Sequence, residues 1–432
     1  MENKLPEIDR SILVGVVWGR ETQESVDASL DELEGLLSTA GGECVARLTQ
    51  NKEAPDTRTV IGSGKAAELA YLCAVNDVTL VVFDCELTPS QIRNLEDILG
   101  EKVRVIDRSM LILDIFALHA VTGEGKLQVE LAQLKYTAPR LSGHGAEMSR
   151  LGGGIGTRGP GESKLETDRR HMMRRIRALE EQISEMEKNR KTMRASRDRS
   201  GIPEIAIVGY TNAGKSTLLN RMTDAGILAE DKLFAMLDPT TRKYILPSGE
   251  PVLLTDTVGF INKLPHHLIS AFRSTLEEAC NADILLILTD ASDPRFRDQL
   301  AVTESLLSEL GASGKPTLYV FNKCDRGVAE LGRIGAAAPD DIVYISALTG
   351  QGLEMLVSRL EAIVSEGKKR ETYFIPNKDG GALNTLYRFA TVESVDYGAD
   401  GMTVIALADA KARGMMRKYL VEAEENSEEW ED

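Results

Sequence analysis

Gly209-Tyr210-Thr211-Asn212-Ala213-Gly214-Lys215-Ser216 follows the apolar run Glu204–Val208 and precedes Thr217 and a helical Leu-Leu-Asn. A G-x-x-x-x-G-K-[ST] segment between a strand and a helix cradles phosphate. Its glycines permit a tight turn, and its backbone N–H groups point at anionic oxygens. Lys215 is expected to reach the β- and γ-phosphates, and the Ser216 hydroxyl to ligate Mg²⁺. Asp256-Thr257-Val258-Gly259 follows the apolar Val252–Leu254. That order puts the Asp256 carboxylate at a strand end, facing the magnesium through water. Gly259 can offer its N–H to the γ-phosphate, the contact by which a switch senses hydrolysis. In Asp238-Pro239-Thr240-Thr241 a threonine can complete the Mg²⁺ shell when the γ-phosphate is present. Thr240 is taken for that role, although spacing leaves Thr241 open.

The base is addressed by Asn322-Lys323-Cys324-Asp325, after the strand-like Thr317–Phe321. Asp325 can accept from guanine N1–H and N2–H, a donor pair adenine lacks. Leaving such a carboxylate buried and unpaired is costly, so a site of this kind discriminates by about 10⁴-fold. Asn322 is expected to face N7 and hold the loop, and the Lys323 stem to lie over the base. Ser346-Ala347-Leu348, after Ile342–Ile345, supplies a backbone N–H for guanine O6, assigned to Ala347. Together these segments imply a GTP-hydrolysing enzyme with Lys215, Thr240 and Gly259 at its reacting end. Many such enzymes carry glutamine after the D-x-x-G glycine to orient the attacking water. Here the residue is Phe260, which cannot hydrogen-bond water. Either a partner completes the site, or Phe260 is a packing residue and a group elsewhere in the chain orients the water.

These loops need a doubly wound, mostly parallel sheet to hold them, and the chain has room for more. Its 432 residues suggest about three domains at roughly 150 residues each. Strand candidates Ser11–Gly19, Glu43–Leu48, Val78–Asp84 and Lys102–Asp107 alternate with helix candidates Thr22–Ala40, Ala66–Val75, Pro89–Leu99 and Ser109–Val121. This alternation argues for an N-terminal α/β domain over 1–124. Within it, Gly62-Ser63-Gly64-Lys65 resembles a phosphate loop but lacks the spacing and the following hydroxyl, leaving a plain turn as the simpler reading.

Residues 125–200 read as an antiparallel helical hairpin plus a polar linker, Met193–Ile202. Leu127, Leu131, Leu134, Ala138 and Leu141 step by four and three. Leu165, Arg169, Met172, Ile176, Leu179, Ile183 and Met186 do the same, the spacing of helices that zip together. Between them lies a glycine-rich tip, 142–163, with Arg140, His144, Arg150, Arg158 and Lys164 at or beside it. Such a tip can clamp phosphates and stack on bases of structured RNA, or it can be a solvated loop on a stalk. The GTPase unit is placed at 201–368, with the helix Gly352–Ser365 at its end. A small C-terminal α+β domain follows at 369–432, with strands Leu386–Val395 and Met402–Ala408, a helix Ala410–Tyr419 and an acidic tail from Glu422.

Composition narrows the class. A formal net charge of -16 argues against a generic polyanion binder, although the basic stretch Arg169–Arg199 makes the distribution uneven. The five cysteines contain no C-x-x-C pair, so neither a disulfide framework nor a cysteine zinc site is expected. No apolar run approaches the roughly 20 residues of a membrane span, and the first residues lack a secretory pattern. The expected setting is the cytoplasm, and the expected state a monomer.

The chain resembles the HflX family of translation-associated GTPases, within the larger Obg-like group. The resemblance rests on Arg150–Arg170 (RLGGGIGTRGPGESKLETDRR) upstream of Gly209–Ser216, and on Phe234–Thr241 (FAMLDPTT). It implies a partner, the large ribosomal subunit, with the N-terminal domain and glycine-rich loop approaching the peptidyl-transferase region. It also implies ribosome splitting or rescue in the GTP form, notably under heat stress. Members of the family are reported to bind ATP as well; no spacing here marks a second nucleotide site. The alternative reading is an RNA-remodelling chaperone or helicase-like protein regulated by its GTPase domain.

Overall fold

Arg10–Val17 (β1) is buried from Ser11 onward, as a strand covered on both faces must be. The computed structural model describes residues 9–141, 160–197, 202–223, 233–234, 239–263, 278–328, 341–366, 368–408 and 410–421. β1 pairs in parallel with Glu43–Asn51 (β2) and Leu80–Phe83 (β3), and Arg104–Asp107 (β4) completes the order β2-β1-β3-β4. The connecting helices are Gln23–Thr39 (α1), Ser63–Val75 (α2), Pro89–Leu99 (α3) and Arg108–His119 (α4). Thr22 and Thr88 start α1 and α3 with reciprocal capping boxes, which satisfy N–H groups that the first turn leaves unpaired. Val26, Leu30, Leu33 and Leu37 form the buried stripe of α1. The plain turn expected at Gly62-Ser63-Gly64-Lys65 is instead a helix start, with Gly62 as the N-cap and Ser63–Lys65 in the first turn of α2. Gly62 N–H donates to Gln50 Oε1 at 2.8 Å, and Lys65 pairs with Glu68 at 3.0 Å.

Gly123–Leu141 (α5) and Pro160–Arg197 (α6) pack together through Leu127, Leu131, Leu134 and Ala138 against Met172, Ile176, Leu179 and Ile183. The ion pair Arg190–Glu124 joins the late part of α6 to the start of α5, so the two run in opposite directions. Met193–Arg197, read as linker from its polarity, is helical, because Met, Arg and Ala favour helix whether or not they are buried. The segment 142–159, with His144, Arg150 and Arg158, lies outside the described residues, as do the side chains of Arg140 and Lys164.

The second sheet is built from Glu204–Gly209 (β5), Thr240–Ile245 (β6), Pro251–Asp256 (β7), Ile284–Asp290 (β8), Thr317–Asn322 (β9) and Ile342–Tyr344 (β10). Its order is β10-β9-β8-β5-β7-β6, and every neighbouring pair is parallel except β6–β7. Lys215–Thr223 (α7), Phe296–Glu309 (α8) and Leu353–Ser365 (α9) are its described helices. The multidomain α/β chain thus has a central phosphate-loop unit with a mostly parallel sheet. In such sheets ligands bind beyond the carboxyl ends of the strands, where β5, β7 and β9 bring their loops together.

The C-terminal part contains Lys369–Pro376 (β11), Gly381–Phe389 (α10), Ala390–Tyr397 (β12), Gly401–Ala408 (β13) and Ala410–Met416 (α11). The sheet order is β11-β13-β12, all antiparallel. Two expectations are corrected here. Leu386–Val395 is not one strand: the chain is helical through Phe389, which buries Leu386, and extends only from Ala390. The helix expected over Ala410–Tyr419 stops at Met416 and tightens into a 3-10 turn, Arg417–Tyr419. β11 was also hidden. Its charged first residues mask the alternation that buries Tyr373 and Ile375.

One core crosses from the first sheet to the second. Leu33, Leu36 and Phe116 share it with Val258, Phe260 and Ile261, and Phe116 meets Phe234 edge to face at 4.8 Å. Among the described residues no helix is long and apolar enough to cross a membrane.

Candidate nucleotide-binding site

β5 ends in Gly209, and the chain turns through Tyr210–Gly214 into α7. Gly214 takes φ +96°, and a Cβ there would lie 2.3 Å from Asn322 Nδ2, so only glycine fits. The turn is held from inside. Lys215 is buried, and its Nζ donates to Tyr210 O at 2.9 Å and Gly209 O at 3.2 Å. Burial pushes the Lys215 ammonium down to about 8, with the Asp256 carboxylate opposing the fall. Asn212 is exposed, Ala213 and Thr211 are buried, and Ser216 and Thr217 open α7 half-buried.

Asp256 ends β7 beside that helix. Its Oδ2 accepts from Ser216 Oγ at 2.6 Å, while its buried Oδ1 has no hydrogen-bond partner. Burial raises the Asp256 carboxyl, against the pull of Lys215 and Ser216. An unpartnered carboxylate oxygen beside a serine hydroxyl suits a hard cation with oxygen ligands. In the antiparallel ladder Thr240 stands opposite Asp256, and Thr241 opposite Thr255. The Thr241 and Thr255 hydroxyls bond each other at 2.9 Å, so Thr241 is engaged and Thr240 occupies the Asp256 face. Asp238 lies outside the described residues.

The stretch after Asp256 is pinned to β5 and the phosphate loop by side-chain and main-chain hydrogen bonds. Thr257 Oγ1 donates to Ile207 O at 2.8 Å, Phe260 N–H to Gly209 O at 3.0 Å, and Thr211 N–H to Phe260 O at 2.7 Å. A Cβ on Gly259 would lie 2.8 Å from Thr211 Cα and 3.0 Å from Lys215 Nζ. Gly259 thus comes as close to the lysine as a residue can. Val258 and Phe260 turn away into the shared core, where Phe260 is 1% exposed. Phe260 is a packing side chain in this geometry, and its burial fits water orientation by a partner as well as by another group of the chain. Phe260→Gln should therefore lower the unfolding free energy by about 1–3 kcal/mol, for a buried amide without partners, and bring no gain in turnover. Denaturant titration with a phosphate-release assay checks both halves.

The base-side loops are stitched by Asn322. Its Nδ2 donates to Ala213 O at 2.8 Å and its Oδ1 accepts the Ala347 N–H at 2.9 Å. The N–H assigned to guanine O6 is therefore shared with Asn322, whose own amide is committed to holding loops. Lys323 adopts φ +62° and pairs with Asp290 at 2.7 Å. Burial works against the Asp290 carboxylate, but Lys323 and Ser292 outweigh it and hold its pKa below the usual range. Cys324 and Asp325 form a short 3-10 turn, and Asp325 is exposed, so its desolvation arises only beneath a base. Ser346 is buried with its Oγ accepting from Thr349 N–H at 3.1 Å, and Leu348 is exposed.

Sequence reasoning missed Asp290, since no motif links the end of β8 to Lys323. It also missed a polar junction beyond the phosphate loop. Tyr210 Oη donates to Glu32 of α1 and accepts the Asn262 N–H at 2.6 Å.

Models of three families match the chain. They are "GTP-binding GTPase N-terminal" over residues 27–117, "GTP-binding GTPase Middle Region" over 119–197, and "50S ribosome-binding GTPase" over 204–323. The chain is 50% identical to the GTPase HflX of Lacrimispora saccharolytica, over 93% of this chain and 94% of that one. It is 40% identical to the GTPase HflX of Escherichia coli, over 91% and 92%. Among solved structures it is similar to a GTP-binding protein from Sulfolobus solfataricus in complex with GDP. That likeness has 24% identity and a TM-score of 0.44, over 83% of this chain and 99% of the other.

Proposed function

Because the chain belongs to the GTPase HflX family and hydrolyses GTP to GDP and phosphate, we propose that it is a switch for the large ribosomal subunit. In this reading the GTP form binds that subunit, acts in splitting, rescue or recycling of ribosomes under stress, and is turned over faster on it. Support comes from the family description matched by residues 204–323 and from the extent of the HflX relationship. The observation that carries partner dependence is the burial of Phe260, which leaves no polar side chain in the usual water-orienting position.

Within the site, Lys215 and the N–H groups of 209–216 would hold the β- and γ-phosphates, and Gly259 N–H would meet the γ-phosphate. Ser216 and Thr240 would hold Mg²⁺, with Asp256 acting through water. Bound there, the ion would neutralise charge on the phosphate oxygens. Asp325 would read N1–H and N2–H of guanine beneath the Lys323 stem, while Cys324, Ser346, Ala347 and Leu348 shape the base pocket. We also divide the chain into four units, 1–124, 125–200, 201–368 and 369–432, with rRNA met by Arg140, His144, Arg150, Arg158 and Lys164 around the tip loop. A monomer in the cytoplasm suits this reading.

GTP turnover at fixed protein, with and without purified large subunits, tests it. A rise of about tenfold or more, worth about 1.4 kcal/mol of barrier, is the expected result. Slow turnover in both cases would move the partner to free RNA or protein, including the RNA-remodelling alternative.

A further inference from the structure

We propose that Tyr210 is a positioning residue for hydrolysis, which ties the chain after Gly259 to the N-terminal α/β unit through a buried ionic cluster. The observations lie on both sides of the junction. Tyr210 Oη accepts the Asn262 N–H at 2.6 Å, three residues after Gly259, and donates to Glu32. Glu32 also pairs with the buried Arg108, which pairs with Asp84 at 2.7 Å. Asp84 accepts from Lys263 Nζ at 2.8 Å, and Lys263 also reaches Glu21 at 3.0 Å. The cluster therefore closes a ring from Tyr210, through Glu32, Arg108 and Asp84, back to Lys263. Lys263 itself sits at φ +55°, a conformation that needs outside support for a lysine.

Lys263 is thus gripped by Glu21 and Asp84 of the first α/β unit, and Asn262 is tied to Glu32 of that unit through the Tyr210 hydroxyl. Gly259 is already pressed against Thr211 and Lys215, so a shift of residues 260–263 moves the γ-phosphate contact directly. Burial and the neighbouring Glu32 carboxylate push the Tyr210 phenol well above its ordinary pKa, so it stays protonated far into alkaline pH. Half of the switch is consequently held by another domain, and separation of that domain would release it. This inference rests on the proposed contact of Gly259 with the γ-phosphate.

The test uses the full chain and steady-state GTP hydrolysis. Tyr210→Phe keeps the ring and removes the hydroxyl. The expected result is a kcat lower by about three- to tenfold, the usual worth of one hydrogen bond, with GDP affinity and thermal midpoint retained. Glu32→Gln should act similarly, and Tyr210→Phe with Glu32→Gln should lose little beyond either alone, because both sit in one network. Lys263→Met should lower kcat while Lys263→Arg, which still reaches Asp84, restores it. An unchanged or raised kcat in folded Tyr210→Phe, or equal turnover in the two Lys263 variants, overturns the proposal. Should Tyr210→Phe lose its thermal midpoint, the Lys263 pair decides. Lys215→Ala separates the two levels: if it still turns over GTP, the site reading itself has failed.

Discussion

Asp325→Asn is expected to invert nucleotide preference from GTP to xanthosine triphosphate, by about 10³- to 10⁴-fold in relative affinity. The carboxylate accepts from two guanine donors, whereas a carboxamide offers one donor and one acceptor, which xanthine matches. The surroundings make the exchange clean. Asp325 is exposed on a 3-10 turn whose main chain is anchored by Cys324 N–H on Ile345 O at 3.1 Å. The preceding Lys323 is fixed by Asp290. Asparagine has the same shape as the aspartate it replaces. Competition of GTP and xanthosine triphosphate against a fluorescent GDP analogue measures the ratio. A preference unchanged by the substitution would remove Asp325 from base readout.

Lys215→Ala is expected to abolish measurable turnover, a fall of at least about 10²- to 10³-fold at saturating GTP. The loss has two parts. The ammonium meant for the phosphates is gone, and Gly209 O and Tyr210 O lose the donor that shapes the turn around them. The buried Asp256 also loses the positive charge of Lys215, which favours its ionised form, so its carboxyl pKa rises further. Phosphate release at several GTP concentrations, with GDP binding measured separately, distinguishes lost binding from lost catalysis. Turnover close to the parent's would exclude Lys215 from the reacting end.

The nucleotide chemistry was legible because each segment is a short stretch of chain whose local geometry follows from its residues. Gly209–Ser216 between an apolar strand and a helix forms a turn of N–H groups wherever it is placed. The caps at Thr22 and Thr88 have the same local origin, although it is apolar spacing that marks their helices in the sequence. The C-terminal unit was harder. Leu386 and Phe389 suit either period, and the charged start of β11 hides a strand that becomes evident only when β13 lies beside it.

What the sequence by itself determined was the set of loops expected to address phosphate, magnesium and guanine, and the parallel sheet that must carry them. The tertiary structure alone decided how those loops are joined. It committed both ends of the Asn322 amide to Ala213 and Ala347, gave Lys323 its partner in Asp290, and paired the Thr241 hydroxyl with that of Thr255. It also sent Phe260 into a core shared with α1 and α4, and set Tyr210 against Glu32, 178 residues away in the chain. The division has a physical cause. Backbone turns and caps arise from neighbouring residues, whereas burial, ion pairing and hydrogen-bond partners belong to surfaces that meet only once the chain has folded.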